Sequence, residues 1–174
     1  KYDLIIGNNV LAHVPDINDF VSGLKIALKN RGVVTMEFPH LMRLIEENQF
    51  DTIYHEHFSY LSFHIVRRIF AEHGLVLFDV EELPTHGGSL RIYARHDEDD
   101  LKSVTANVAA LLEKEASEGM LQLNYYLDFQ QKADQVKYAL LTFLLEQKEQ
   151  GKKVVAYGAA AKGNTLLNYC GVKK

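Results

Sequence analysis

The sequence of 174 residues contains a single cysteine, Cys170, which excludes an intrachain disulfide bond and a zinc site built from cysteines. Such low cysteine usage is typical of proteins in a reducing compartment, so we expect a cytoplasmic protein. No apolar run is long enough to span a bilayer, and we expect no membrane contact. Internal repeats and low-complexity segments are also missing, which leaves the classes of ordinary globular proteins.

An excess of positive charge is missing as well. Lys and Arg together number 19 against 23 Asp and Glu, and the formal net charge is −4. General nucleic-acid and anionic-membrane surfaces rely on an excess of basic residues, so we expect no nucleic-acid partner. The hydrophobic share of 47% and the charged share of 24% are ordinary and permit a real core. A small-molecule ligand remains open.

The chain also lacks an initiator methionine and a polar leader. It begins directly in residues 1–6, where Leu4, Ile5 and Ile6 form an apolar run typical of a buried strand. We therefore expect a fragment of a longer protein.

The first forty residues predict a strand-helix-strand unit. After the strand at 1–6, Asp16 or Asn18 is expected to cap a helix. A second buried strand follows at 33–38 and ends at Pro39, which cannot donate a ladder hydrogen bond. Such a unit implies parallel strands, whose ligands collect beyond the carboxyl ends of the strands.

The middle of the chain predicts two helices and a pair of strands. A short helix is expected at 40–48, and Ser62 is expected to cap a second helix that ends near 73–74. Segments 75–81 and 90–94 have strand-like composition and predict an antiparallel pair.

The last part of the chain changes character. Residues 99–150 predict two helices that meet near Gly119. A strand at 152–157, a loop of small residues and a helix at 165–169 then predict the start of another nucleotide-type unit. Lys162 in that loop would add positive charge beside helix N-terminal amides, which attract phosphate.

The most distinctive motif is YHEHFSY at residues 54–60, which crowds two imidazoles, a carboxylate and two phenols into seven residues. Histidine titrates nearest to neutral pH, so a histidine flanked by a carboxylate and phenols is suited to taking a proton. We interpret the group as a functional site. For any single histidine, a solvated turn or a structural hydrogen-bond cluster is the alternative.

Several segments resemble the sugar C-methyltransferases of deoxysugar biosynthesis, which use S-adenosylmethionine to methylate a keto sugar attached to a nucleoside diphosphate. The first third resembles the later half of a Rossmann-like methyltransferase. The similarity is sharpened by EFPH at 37–40, YHEHFSYLS at 54–62, HGGSLR at 86–91 and GAAAKGNT at 158–165. It extends in order along essentially the whole chain.

The resemblance implies an α/β fold with a partial Rossmann-like methyltransferase sheet, a helical connector and the start of a second Rossmann-like unit. The corresponding boundaries are 1–98, 99–150 and 151–174. Family members begin with a zinc-binding region and a glycine-rich loop that holds S-adenosylmethionine, and neither is present here. We expect that cofactor to be required, zinc only in the preceding region, and no methylation by this chain alone. No residue here is assigned to the cofactor.

The resemblance also implies roles in catalysis. His57 closes the family motif and is expected to be the general base, with Tyr54 and Glu56 as companions and His13 facing the reaction site. A base near neutral pH is needed to remove a hydrogen next to a ketone, and His13 or Tyr54 would then stabilise the negative oxygen. Glu56 is expected to orient an imidazole or to bind a sugar hydroxyl.

Three further residues are expected to bind the substrate. Lys162 and Asn164 are diphosphate contacts by analogy with the family, and His86 lies in the HGGSLR segment. The nucleotide sugar is accordingly the expected partner, and the oligomeric state is open.

Two alternatives belong to other classes. A metal-dependent hydrolase is suggested by His13, His55, Glu56 and His57, although no two of them have the i, i+4 spacing of a zinc-protease helix. A noncatalytic interaction module would instead pair through the helices of 99–150.

Overall fold

A computed structural model describes residues 1–158 and 161–173. Its centre is a four-stranded mixed sheet with the order β1-β2-β4-β3. The strands are β1 (Tyr2–Asn8), β2 (Leu28–Pro39), β3 (Leu75–Leu83) and β4 (Ser89–His96). The expected parallel and antiparallel pairs are both confirmed, because β1 runs parallel to β2 while β3 and β4 are antiparallel. The two pairs form one sheet, since β4 also pairs antiparallel with β2.

Helices begin where the sequence supplies caps. The Asp16 carboxylate accepts hydrogen bonds from two backbone amides, Asn18 and Asp19, each over 3.0 Å, at the start of α1 (Ile17–Ala27). The Ser62 hydroxyl caps α3 (Phe63–Glu72) in the same way. The short α2 (Leu41–Glu46) lies between them in sequence and follows β2 directly. These helices confirm the predicted positions to within a few residues.

The core lies where α1 and α3 pack with the sheet. Fully buried aromatic side chains anchor it, with Phe38 from β2 and Phe63 and Phe70 from α3. Burying a side chain of this size stabilises the fold by about 1.5–3 kcal/mol. This single apolar cluster fixes the strands whose carboxyl ends carry the loops described below.

Strand β1 contradicts the expectation of a buried run. Leu4 is 54% exposed and Ile6 is 63% exposed, whereas Gly7 is buried. The physical reason is that β1 is an edge strand, paired on one side by β2, and the sheet face of Leu4 and Ile6 is uncovered among the described residues. Its apolar composition therefore marks strand character but not burial here.

The helical connector consists of α4 (Ala106–Ser117), α5 (Asn124–Leu127) and α6 (Phe129–Glu149). The break near Gly119 is confirmed, and Gly119 adopts φ +91°, which other residues rarely tolerate. The one-turn α5 was not predicted. Within the described residues, no helix has both the length and the apolar character needed to cross a membrane.

The strand predicted at 152–157 is wrong, since these residues are irregular in the structure. A strand needs a hydrogen-bonded neighbour, and the sheet formed by the described residues offers none to this segment. The helix expected at 165–169 is confirmed and is longer, forming α7 (Ala161–Cys170). Residues 159 and 160 of the expected small-residue loop, and residue 174, lie outside the described residues.

Candidate active site

A cleft of about 190 Å³ lies beside the carboxyl ends of β1 and β2. This is the edge where the strand-helix-strand pattern predicts ligands to bind. The polar residues that line it come from four separate segments of the chain; they are Asn9, His13, Thr52, Tyr54, His57, Ser59, Tyr60, His86 and Lys162. The structure therefore brings together five of the seven residues expected in the site.

The orientation of His57 is fixed by a backbone group. Its Nδ1 atom lies 2.8 Å from the carbonyl oxygen of Thr52, at the end of a 3-10 turn, Phe50–Thr52. A carbonyl oxygen can only accept, so Nδ1 carries the proton in the neutral imidazole and donates it. Nε2 of His57 is then left with a free lone pair, the form that a general base requires.

Three rings surround His57. The ring of Tyr54 lies 4.5 Å from it, measured between centroids, and is tilted by 34°. His13 lies 4.7 Å away in an edge arrangement, and Tyr60 lies 6.0 Å away. Burial raises the pKa of Tyr60, so that hydroxyl stays protonated at neutral pH. The imidazole is thus enclosed by groups that are able to donate hydrogen bonds.

Backbone hydrogen bonds attach the histidine-rich loop to the turn that carries His13. The amides of Phe58 and Ser59 both donate to the carbonyl oxygen of Ala12, over 2.9 and 3.2 Å. Inside the loop, the amide of His57 donates to the carbonyl oxygen of Tyr54 over 3.0 Å. These bonds hold His13 and His57 in one fixed relationship.

A turn between β3 and β4 supplies His86. This residue adopts φ +54°, and its Nε2 atom lies 3.4 Å from Nδ2 of Asn9. The turn is anchored by Thr85, whose hydroxyl donates to Glu37 over 2.8 Å, while Arg91 donates to the other Glu37 oxygen over 2.9 Å. The Thr85 hydrogen bond, aided by Arg91, holds the pKa of Glu37 below its usual range although burial acts in the opposite direction.

A buried carboxylate joins the connector to the residue that follows β2 and to the start of α3. Glu115 on α4 is fully buried and accepts from His40 Nε2 over 2.7 Å and from the Phe63 amide over 2.6 Å. Its second oxygen accepts from the amide and Nδ1 of His64. Burial alone would raise the pKa of Glu115, but the hydrogen bonds led by that of His40 outweigh it and lower the pKa.

Two of the expected site residues lie apart from the cleft lining. Glu56 is exposed and makes no hydrogen bond with His13 or His57 among the described contacts, so Thr52 and not Glu56 orients the imidazole of His57. Asn164 is exposed on α7, whereas Lys162 on the same helix lines the cleft.

Sequence reasoning missed Asn9, Thr52 and Tyr60 as site residues. Asn9 had a signal, because it directly follows β1 and faces the ligand-binding edge of the sheet. Tyr60 is part of the YHEHFSY motif, but its phenol was not given a role. Thr52 had no signal in the sequence, since it acts through a backbone carbonyl that every residue type possesses.

The described residues contain no group of three His, Cys, Asp or Glu side chains arranged to hold a metal ion. The cleft is also smaller than the roughly 300–1,000 Å³ usual for pockets that enclose a drug-sized ligand. A drug-sized ligand would therefore extend beyond the space that the described residues enclose.

Comparison with known proteins assigns the family. A family model described as the C-methyltransferase C-terminal domain matches residues 84–174, just over half of the chain. The C-methyltransferase NovU from Streptomyces niveus is 36% identical over 169 residues. That match covers 97% of this chain and 40% of the relative, so the chain spans less than half the length of NovU.

Two solved structures are similar at a low level. The magnesium protoporphyrin IX methyltransferase ChlM from Synechocystis PCC 6803, with bound SAH, gives a TM-score of 0.43 and 18% identity over 54% of this chain and 44% of its own. The M1.HpyAVI-SAM complex gives a TM-score of 0.35 and 12% identity, and the match covers 57% of this chain and 45% of that one. Similarities of this size define no function, and the family assignment depends on sequence alone. On that sequence evidence, the chain belongs to the C-methyltransferase family.

Proposed function

We propose that this chain carries the proton-removing machinery of an enzyme that methylates a carbon atom next to the ketone of a sugar linked to a nucleoside diphosphate. The single observation that carries the proposal is the hydrogen bond from His57 Nδ1 to the Thr52 carbonyl oxygen. It leaves Nε2 of His57 as a base at the ligand-binding end of the parallel strands. Membership of the C-methyltransferase family supports the same reaction class.

The first step is the removal of a carbon-bound proton. Nε2 of His57 takes the proton next to the ketone, and the electron pair of the broken C–H bond moves into a carbon-carbon double bond. The carbonyl π electrons move to oxygen, which gives an enolate. General-base catalysis of this kind contributes about 10²- to 10⁴-fold in rate.

The enolate oxygen then needs donors that gain strength as its negative charge develops. The rings of Tyr54 and His13 both lie within 5 Å of the His57 ring, measured between centroids, and both residues line the same cleft. Donors placed this way stabilise the transition state more than the ground state. Tyr60 adds a third donor near His57, a hydroxyl that stays protonated at neutral pH because burial raises its pKa.

S-adenosylmethionine, when bound, supplies the electrophilic methyl group that the enolate carbon accepts. We assign its binding, and any zinc, to parts of the complete protein other than the cleft described here. What this chain contributes is the orientation of the carbon nucleophile and the storage of its proton on His57.

The substrate's remaining groups meet residues at the edge of the cleft. Lys162 lines the cleft and supplies the positive charge for a diphosphate, with Asn164 beside it on α7. His86 is assigned to the sugar, and Glu56, exposed next to His57, is able to accept from a sugar hydroxyl. We also propose a cytoplasmic location, which the single cysteine of this chain supports.

The test is to replace His57 in the complete protein. His57→Asn keeps a donor near Nδ1 for the Thr52 carbonyl but offers no base at Nε2. We expect loss of methyl transfer with affinity for the keto-sugar nucleotide nearly unchanged, measured by product formation and calorimetry. Retained turnover would overturn the assignment of the base.

A second candidate function is an interaction module, which the surface of α6 favours. Tyr138, Phe143 and Leu145 are large apolar side chains that are exposed there. A stable dimer of this fragment that is lost in Phe143→Ser, together with no thymidine diphosphate binding, would support this second function. The metal-dependent hydrolase has no such supporting observation, and stoichiometric zinc in the fragment would be the result that favours it.

A further inference from the structure

Helix α7 contacts the catalytic cleft at its beginning and the support of the catalytic loop near its end. Lys162, its second residue, lines the cleft that contains His57. Tyr169, near the other end, packs its ring against Phe50, with 5.1 Å between the centroids. Phe50 begins the turn whose last residue, Thr52, accepts the hydrogen bond from His57. The position of α7 therefore affects both the cleft, through Lys162, and the turn that orients His57.

The hydroxyl of Tyr169 is fully engaged by α6. It donates to the Asp134 carboxylate over 2.6 Å and accepts from the Gln130 side-chain amide over 2.7 Å. Gln130 also donates to the second oxygen of Asp134 over 3.3 Å, and the ammonium of Lys137 lies 5.2 Å from the centre of the Tyr169 ring. Packing of Tyr169 against Phe50 requires only the aromatic ring, whereas the hydrogen bonds to Asp134 and Gln130 also fix the position of the hydroxyl.

The hydrogen bond between Tyr169 and Asp134 is charge-assisted. The Tyr169 hydroxyl lowers the pKa of Asp134, and the ionised carboxylate in turn raises the pKa of Tyr169. At neutral pH the donor is therefore protonated and the acceptor is charged. Hydrogen bonds to an ionised partner are shorter and stronger than neutral ones.

Lys162 has a charge available for a ligand. Among the described residues, no carboxylate forms an ion pair with it, although Lys25, Lys29, Lys102 and Lys114 each have at least one. The Lys162 side chain is half-buried and lines the cleft, and the position of α7 sets where its backbone lies. A lysine in such a place acts as a point charge for phosphate oxygens.

We propose that Tyr169 is a positioning residue that seats α7 on α6 and thereby holds Lys162 in the cleft for the diphosphate of the substrate. This inference rests on the proposed function. Its distinctive consequence is that Tyr169 has no influence on diphosphate binding once the Lys162 ammonium is removed.

The experiment measures thymidine diphosphate binding to the complete protein by calorimetry. Lys162→Ala is expected to weaken binding about tenfold, because it removes a charged contact. Tyr169→Phe keeps the ring on Phe50 and removes the hydroxyl, with an expected loss of about three- to tenfold. The double variant is expected to bind like Lys162→Ala alone, to within about twofold. Tyr2→Phe, which also removes a tyrosine hydroxyl, is the matched control and should bind like wild type.

Asp134→Asn provides a second variant that weakens the same network from α6. If Tyr169→Phe melts at a lower temperature and is partly unfolded, Asp134→Asn decides. It must then lower the affinity for thymidine diphosphate by the same factor, and the double variant with Lys162→Ala must bind like Lys162→Ala alone. Unchanged binding in both variants, or losses that multiply with that of Lys162→Ala, would overturn the inference.

The outcomes separate this inference from the proposed function. Normal thymidine diphosphate binding by Tyr169→Phe and Asp134→Asn, together with lost methyl transfer in His57→Asn, overturns the inference and retains the proposed function. A wild-type protein that binds neither thymidine diphosphate nor uridine diphosphate overturns both the nucleotide part of the function and the inference.

Discussion

The imidazole of His57 donates from Nδ1 to the carbonyl oxygen of Thr52 over 2.8 Å, and this bond determines which nitrogen is free for chemistry. Thr52 itself is buried and the hydrogen bond is partly buried, so water competes with it less than at the surface. The base is therefore oriented by the main chain of a 3-10 turn. In many enzymes a carboxylate performs this task.

This relationship predicts the tautomer of His57. Nitrogen-15 NMR of the complete protein, above the range where the imidazole is charged, should show a protonated Nδ1 and an unprotonated Nε2. The imidazole signals of His57 are identified as those that disappear in the spectrum of His57→Asn. A ring protonated on Nε2 would contradict the proposed direction of proton transfer.

Tyr54→Phe tests the stabilisation of the enolate oxygen. The substitution keeps the ring beside His57 but removes the donor, and loss of a donor to a developing oxyanion typically costs about 10²- to 10³-fold in kcat. We expect kcat to fall while KM stays nearly constant in steady-state assays of methyl transfer. Tyr138→Phe, at an exposed position on α6, is the control. Equal kcat values in the two variants would remove Tyr54 from the mechanism.

Gly88→Ala tests the turn that presents His86. Gly88 adopts φ +105°, and an added Cβ would lie 2.6 Å from Cγ of Arg43. We expect a loss of about 1–3 kcal/mol in the free energy of unfolding, from backbone strain and this overlap. Urea denaturation measures it. Gly23→Ala, on α1 with open space around the new methyl group, should instead leave stability equal or raise it by up to about 1 kcal/mol. Equal effects of the two substitutions would contradict the described turn.

Glu115→Gln tests the buried carboxylate that joins the connector to His40 and His64. The substitution leaves buried donors poorly paired and should cost about 1–3 kcal/mol at pH 7. The pKa of Glu115 is lowered in the folded chain, so the advantage of the carboxylate is present above its unfolded value of 4.5. The difference in the free energy of unfolding should shrink as the pH falls below 4.5 and through the pKa of Glu115 in the folded chain. Urea denaturation of wild type and variant between pH 7 and pH 3 measures this, and a constant difference would contradict the assigned ionisation.

Local signals were sufficient for most of the fold. Asp16 and Ser62 cap helices because their side chains satisfy amides within three residues, which is a property of the local sequence. Burial of β1 and the strand at 152–157 were predicted wrongly for a common reason. Both depend on a covering face or a neighbouring strand, and apolar composition does not reveal whether these are present.

The candidate site could be predicted where a side chain carries the chemistry. Five residues named from sequence motifs line one cleft; they are His13, Tyr54, His57, His86 and Lys162. The contact between Thr52 and His57 and the pairing of Glu115 with His40 were not accessible. One uses a backbone atom, and the other joins residues 75 positions apart through the packing of α4.

Hydrogen exchange at the carbon next to the ketone tests the central claim most directly, because it measures proton removal without methyl transfer. The complete protein is incubated in deuterated water with the keto-sugar nucleotide and S-adenosylhomocysteine, which has no methyl group to donate. Mass spectrometry should show deuterium entering the sugar with wild-type protein and a rate at least about 100-fold lower with His57→Asn. Exchange at the wild-type rate in His57→Asn would contradict the account.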